Sequence, residues 1–307
     1  MRAAILREYG GVPELGDHPE PEGDGVVEVL AAGMNPVDAR IATGTFPNER
    51  HEVPYVAGKE GVGRRADGSL VYFDRSVEPF GAFAPLGLPD GGYAVPDGLD
   101  PALAVCLGVS GLAAWLPLSW RAPVPEGGTV LILGASGVVG QIGVQVARIL
   151  GAGRVVAAAR SEEGLRRAAR LGADATVQLT GDDADALKAA SDGGYDIVLD
   201  PLWGAPAVAA IGAMKPFGKL VELGQSAAAE AKLASVAVRA RPVDILGYTN
   251  YTPPADLLRA GYEALAGHAA AGRIDVAIKR LGLDDVPEAW KLQASSPHAK
   301  LVIEPAR

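Results

Sequence analysis

A chain of 307 residues with 49% hydrophobic and 21% charged side chains has the composition of a soluble globular protein and the length of about two domains. Its 28 basic residues are outnumbered by 37 acidic ones, and the net charge of −9 argues against nucleic acid or an anionic membrane surface as a partner. The single cysteine, Cys106, excludes an intrachain disulfide framework and any zinc site that needs two or more cysteines.

Cys106 lies in the apolar run Ala102–Val109 and is expected to be an inert core thiol. The segment MRAAILREYG has no apolar core of the secretory type, and no apolar run approaches the length of a membrane span. The expectation is a cytoplasmic protein.

Along the first hundred residues, short segments such as Ala3–Leu6, Val26–Ala31 and Leu70–Phe73 are separated by prolines and glycines, without regular helices between them. They predict a mostly β domain. Pro101–Trp115 reads as a connecting helix, with Gly108 and Gly111 marking a hinge. From residue 129 onward strands and helices alternate. Thr129–Leu133, Val155–Ala159, Ala175–Leu179, Tyr195–Asp200, Lys219–Leu223 and Val243–Tyr248 are strand candidates; Glu163–Leu171, Asp183–Ser191 and Ala205–Met214 are helix candidates. This alternation predicts an α/β fold with a doubly wound parallel sheet of six strands that binds ligands at its carboxyl ends. A helix over Pro254–Ala271 and short strands at Val276–Ile278 and Leu301–Ile303 complete the first domain.

The junction of the first of these strands with its helix carries most of the chemistry. Thr129–Leu133 is a β-branched and leucine run suited to a buried parallel strand, and Val138, Val139, Ile142, Val146 and Ile149 then recur at helical spacing. Glycines 134, 137 and 140 fall between. Gly137 lets the backbone approach a pyrophosphate, Gly140 lets the helix pack near the strand, and the helix N-terminus offers N–H donors. Ala135 replaces one glycine of the strict GxGxxG form. The next strand ends at Arg160, twenty positions after Gly140, where an enzyme using NAD presents an acidic residue to the ribose 2′-hydroxyl. Arginine suits a 2′-phosphate, with Ser161 adding a hydroxyl, so the expected cofactor is NADPH. The plainer alternative is a solvated arginine, one of several with Arg166, Arg167 and Arg170.

The segments AAGMNPVDARIATG, VSGLAAW, LGASGVVGQIGVQVARILGA, RLGADATVQL, GGYDIVLDPLWG, GKLVELG and HAKLVIEP, in that order, resemble the medium-chain dehydrogenase/reductase superfamily, and within it the zinc-independent quinone oxidoreductases. The resemblance spans nearly the whole chain. It implies a GroES-like mostly β substrate domain over residues 1–107 and 250–307, a Rossmann domain over 108–249, and a homodimer. It also places Gly134, Ser136, Gly137, Val138, Val139, Gly140, Arg160, Ser161, Leu223, Gly224 and Tyr248 at the cofactor, and Lys300 either at the cofactor or on the surface.

Zinc-dependent relatives hold their metal with a cysteine and a histidine of the first domain. Here Asn35, Pro36, Val37 and Asp38 occupy the first region, and Lys59 stands where those relatives have the histidine of GHE. A protonated lysine has no lone pair for a metal. His18, His51, His268 and His298 are scattered without ligand spacing, so no metal site is expected.

Without a Lewis acid, conjugated acceptors are the easier substrates: hydride adds to carbon while charge moves to an oxygen that ordinary donors can stabilise. The resemblance puts Asn35 and Asp38, as NPxD, beside the nicotinamide and substrate; local capping of an Asn-Pro turn is the plainer account of both. Lys59, if it faces the cleft, is expected to stabilise an enolate or phenolate, or to supply a proton if burial lowers its pKa; the plainer account is a solvated loop lysine. Tyr55 and Lys59 spell YxxxK, but Pro54 and Gly58 oppose the helix which that motif needs. Phe46 stands where thioester-reducing relatives carry a proton-donating tyrosine, and Gly164 where many relatives have a lysine for the 2′-phosphate. The leading expectation is an NADPH-dependent reductase of quinones or small enones. The alternatives are an enoyl-thioester reductase and a non-catalytic NADPH sensor.

Overall fold

The computed structural model describes all 307 residues, which form two compact units: Met1–Ser110 with Arg259–Arg307, and Gly111–Leu258. In the second unit, strands Thr129–Leu133, Arg154–Ala159, Ala175–Gln178, Tyr195–Asp200, Met214–Glu222 and Asp244–Gly247 form one parallel sheet in the order third, second, first, fourth, fifth, sixth. Every side chain of Thr129–Leu133 is buried, as the central position of a sheet covered on both faces requires. Leu131, Leu133, Val156, Val198, Leu220 and Ile211 belong to one hydrophobic core cluster of this unit. The strand order reverses between the first and fourth strands, which opens a crevice at their carboxyl ends.

Several boundaries depart from the sequence reading, two of them by more than a residue or two in this part of the chain. The fifth strand begins at Met214, whose side chain is buried opposite Tyr195, so the preceding helix stops at Gly212. The connecting helix is two helices, Pro101–Cys106 and Val109–Leu116, followed by a π-helical turn over Pro117–Arg121. Gly108, expected as a hinge, lies at the break for a packing reason: a Cβ there would overlap the ring of Tyr72.

The first unit carries a seven-stranded sheet and a three-stranded one. The larger is built around Val27–Met34, with Glu60–Arg64 antiparallel on one side and Lys300–Ile303 antiparallel on the other. Leu70–Phe73 and Tyr93–Ala94 continue it beyond Glu60–Arg64, and Ile278–Leu281 continues it beyond Lys300–Ile303. The expected strand Val276–Ile278 is thus displaced toward Leu281. The smaller sheet joins Glu14–Asp17, Arg2–Leu6 and Tyr55–Val56, so Tyr55 and Lys59 do not share a helix. A short helix, Pro36–Ile41, interrupts the region expected to lack helices; Pro36 fits its first turn, and Asp38 accepts the Asn35 N–H at 2.7 Å. No helix is long and apolar enough to cross a membrane.

Candidate active site

In the first unit, five polar side chains meet below the surface. Glu60 opens its strand with 0% of its surface exposed, and Lys300 opens the strand on the far side of Val27–Met34 with 1% exposed. Lys300 Nζ donates to Glu60 Oε1 at 2.6 Å and also to Asn35 Oδ1. Asn35 Nδ2 donates to Glu60 Oε1 at 2.8 Å and to the Gly33 carbonyl at 3.2 Å, while Ser110 Oγ donates to Asn35 Oδ1 at 3.3 Å. Glu60 Oε2 accepts from Tyr72 OH and from the Val109 N–H, each at 2.8 Å. Gly33 makes room for this pair: a Cβ there would lie 2.7 Å from both Glu60 Oε1 and Lys300 Cε.

Asp38 is buried beside this network, and its two oxygens accept the backbone N–H groups of Asn35 and Lys59 at 2.7 and 2.8 Å. Burial pushes its carboxyl up to about 6 against the pull of those two donors. The carboxylate thereby fixes the turn that presents Lys59. Lys59 Nζ donates to Glu49 Oε2 at 2.6 Å and to the Asp74 carbonyl at 2.9 Å. Its side chain is only 6% exposed, so the solvated loop lysine considered from sequence is not what the structure shows. Lys59, Glu49, Asp38, Tyr55 and Trp290 line a hollow in this unit that opens to solvent. No three His, Cys, Asp or Glu side chains converge as a metal centre requires.

The second unit carries the glycine turn. Gly134 adopts a left-handed φ of +62°, and a Cβ on Gly140 would lie 2.5 Å from Ala135 Cα, so the helix Val138–Ile149 can approach the strand only without a side chain at that position. At Gly137, which begins the helix, a Cβ would make only ordinary contact with the Gly134 carbonyl at 3.4 Å. The first-turn amides of Val138, Val139 and Gly140 precede the first intrahelical bond, from Gln141 N–H to the Gly137 carbonyl, and remain as donors. The donor set and the bare backbone fit a pyrophosphate.

Arg160 follows the last residue of the second strand and is exposed. Ser161 caps the next helix, Glu162–Arg170, by accepting the Gly164 N–H at 3.1 Å. A Cβ at Gly164 would overlap Ser136, so the lysine of many relatives is precluded here by the close approach of that helix to the turn. Leu223 N–H donates to the Asp200 carbonyl, and Gly224 brings the end of the fifth strand against Pro201, where a Cβ would lie 2.8 Å from the carbonyl oxygen. Tyr248 is buried with its hydroxyl on Asn250 Oδ1 at 2.8 Å.

The structure therefore gathers Asn35, Asp38, Lys59 and Lys300 in one unit and the glycine turn, Arg160, Ser161, Leu223, Gly224 and Tyr248 in the other. Both ends of the Asn35 amide are engaged within the first unit, by the Gly33 carbonyl and Glu60 on the nitrogen and by Lys300 and Ser110 on the oxygen. Lys300 is neither a surface lysine nor extended toward solvent; it is the cation of a buried pair. Glu60, Tyr72 and Ser110 were not among the expected site residues. The one available signal was the acidic residue directly after Lys59, between apolar strands.

Residues 138–261 match the ADH_zinc_N family, described as zinc-binding dehydrogenase. The chain is 31% identical over 310 residues to a phenolphthiocerol/phthiocerol polyketide synthase of Mycobacterium tuberculosis, an alignment covering 92% of this chain and 14% of that protein. It is 31% identical over 220 residues to the quinone oxidoreductase of Lama guanicoe, covering 66% of each chain. The quinone oxidoreductase of Thermus thermophilus, whose structure was also determined in complex with NADPH, superposes with a TM-score of 0.79 at 28% identity over 99% of this chain and 100% of that one. A mycobacterial quinone oxidoreductase superposes with a TM-score of 0.86 at 24% identity, covering 99% of this chain and 100% of that one, and shares the fold.

Proposed function

The chain belongs to the medium-chain dehydrogenase/reductase superfamily as a quinone-oxidoreductase-like member, and from that premise we propose that it is an NADPH-dependent reductase of quinones or small α,β-unsaturated carbonyl compounds that works without zinc. The observation that carries the cofactor assignment is Arg160, exposed at the end of the second strand beyond a glycine turn whose backbone fits a pyrophosphate. The amides of Val138, Val139 and Gly140 bind the pyrophosphate, Gly134 and Ser136 shape the turn, and Arg160 with Ser161 holds the 2′-phosphate. Leu223, Gly224 and Tyr248, at the ends of the fifth and sixth strands, flank the nicotinamide. When bound, the reduced nicotinamide supplies a hydride.

Lys59 stands in place of a histidine metal ligand. Its ammonium offers an anionic oxygen a positive charge and a proton, the chemistry that a quinol or enolate needs. Asp38 holds the Lys59 turn through its backbone N–H, and Asn35 and Lys300 act as positioning residues through Glu60. We also infer a homodimer, expected to sediment at twice the chain mass. Its support is the edge strand Asp244–Gly247, where Ile245 is 38% exposed.

The test is NADPH oxidation with a panel of quinones, enones and crotonyl thioesters, before and after treatment with a chelator. Turnover of quinones or enones that survives chelation supports the reading; tight NADPH binding with no turnover on any acceptor contradicts it. A second reading, enoyl-thioester reduction, is favoured by the polyketide synthase alignment over 92% of this chain. Faster reduction of crotonyl thioester than of every quinone would establish it in place of the first.

A further inference from the structure

We propose that Glu78, His51, Glu49 and Lys59 form a proton line that delivers the proton consumed after hydride transfer. The inference rests on the reductase reading above, in which the Lys59 ammonium gives up a proton, and adds the route by which Lys59 recovers it.

The four side chains are joined end to end. Lys59 Nζ lies 2.6 Å from Glu49 Oε2, Glu49 Oε1 lies 2.9 Å from His51 Nε2, and His51 Nδ1 lies 2.9 Å from Glu78 Oε1. Side-chain exposure rises in the same order, 6%, 16%, 22% and 53%, so the line leads from an enclosed ammonium to open water. Each member carries an ionisable side chain and each link has hydrogen-bond length, so a proton crosses without an intervening water. A stabilising salt bridge needs one cation and one anion. Here both oxygens of Glu49 and both nitrogens of His51 are used in series, and all four residues border one hollow.

The surrounding charges keep the line loaded. Glu49 and then Glu78, by hydrogen bonds that outweigh the burial of the ring, raise the pKa of His51 and favour its imidazolium. Asp38 accepts the Lys59 backbone N–H, and Asp74, pushed up by burial, offers Lys59 Nζ its carbonyl. Arg75 and Tyr55 border the same hollow, and the Tyr55 ring centroid lies 4.9 Å from that of His51.

Atoms and electrons balance along this route. A hydride, carrying two electrons, leaves the nicotinamide cofactor for the electrophilic carbon of the acceptor, producing an enolate or phenolate. An N–H bond of the Lys59 ammonium breaks and an O–H or C–H bond forms on the acceptor. The His51 imidazolium passes its Nε2 proton to the Glu49 carboxylate, the carboxyl so formed protonates the neutral Lys59 amine and returns to carboxylate, and the neutral imidazole is reprotonated from water at its Glu78 end. One solvent proton is consumed per turnover.

The test uses the full chain with NADPH and the quinone or enone on which the wild type is fastest. His51→Ala is expected to lower kcat about tenfold, less than the roughly 10²–10⁴-fold contributed by a general acid itself, because water still reaches Glu49 slowly. KM for NADPH is expected to be unchanged. Added imidazoles are expected to restore kcat with a dependence on their own pKa, which chloride at the same ionic strength does not reproduce. Glu78→Gln, at the exposed end, is expected to lower kcat about two- to threefold and raise the solvent deuterium isotope effect. If His51→Ala does not fold, His51→Gln keeps hydrogen-bonding atoms at that position and is expected to show the same lowered kcat and raised isotope effect. Wild-type turnover alongside unaffected variants, or a loss that no imidazole restores, overturns the proton line alone. A wild type that oxidises NADPH with no acceptor overturns the reductase reading and the line with it.

Discussion

Lys300 and Glu60 form an ion pair across the top of a strand that belongs to neither: Nζ and Oε1 are 2.6 Å apart, and Gly33 of the intervening strand has no side chain to separate them. Asn35, Tyr72 and the Val109 N–H satisfy the remaining carboxylate lone pairs, which is the condition under which a buried charge pair is tolerable. The pair anchors the C-terminal strand to the NPxD helix. It thereby fixes the wall that presents Asp38 and Lys59.

Removing one partner should be far worse than removing both. Lys300→Met is expected to destabilise the chain by about 3–5 kcal/mol, because Glu60 stays buried without its cation. Lys300→Met combined with Glu60→Gln is expected to recover at least half of that loss. Chemical denaturation of the two variants beside the wild type measures the difference, and equal losses in both would show that the pair carries no coupling.

Asp200 makes the pH dependence of stability specific. Its Oδ1 accepts the Leu202 and Trp203 N–H groups at 2.8 and 3.0 Å, whereas Oδ2 is buried with no partner. Burial raises its pKa from the ordinary 3.8 to about 6. The folded chain therefore holds this proton more tightly than the unfolded one, so the contribution is complete below pH 3.8 and is lost as pH rises through about 6. The loss is on the order of 3 kcal/mol. Asp200→Asn keeps an oxygen for both amides and removes the ionisation. Its stability relative to wild type, followed by denaturation between pH 4 and pH 7, is expected to rise with pH; a constant difference would assign the burial no electrostatic cost.

Two glycines should resist even a methyl group. Gly108→Ala drives a Cβ into the Tyr72 ring, whose hydroxyl and the neighbouring Val109 N–H both serve Glu60, and a cost of about 1–3 kcal/mol or more is expected. Gly140→Ala meets backbone at Ala135, which cannot move as a side chain can. It is expected to lower NADPH affinity as well as stability, whereas Gly108→Ala, in the unit without the glycine turn, lowers stability alone. Thermal melts with and without NADPH separate the two outcomes.

The parallel sheet is legible in sequence because strands buried on both faces read as continuous apolar runs, and Thr129–Leu133 and Tyr195–Asp200 have the boundaries their composition predicts. Strands of two residues, such as Tyr55–Val56 and Leu86–Gly87, are too short to show alternation. The helix Pro36–Ile41 does carry a signal: asparagine, proline and a third-position aspartate are an N-terminal signature, but the same residues also favour a turn, and six residues are too few for a periodicity to decide between them. Glu60 and Lys300 were hidden for a different reason. Charged residues are read as exposed, and the partner that makes burial tolerable lies 240 positions away. The links from Lys59 through Glu49 to His51 likewise depend on how a loop folds, which no periodicity reveals.

The central claim is that Arg160 selects a phosphorylated dinucleotide, and a titration of NADPH against NADH by nicotinamide fluorescence, in wild type and in Arg160→Ala, tests it most directly. The account predicts a wild-type preference for NADPH and a loss of about 10- to 100-fold in NADPH affinity in the variant, the value of charge-assisted hydrogen bonds to one phosphate, with NADH binding unchanged. Equal binding of both cofactors, untouched by the substitution, would contradict it.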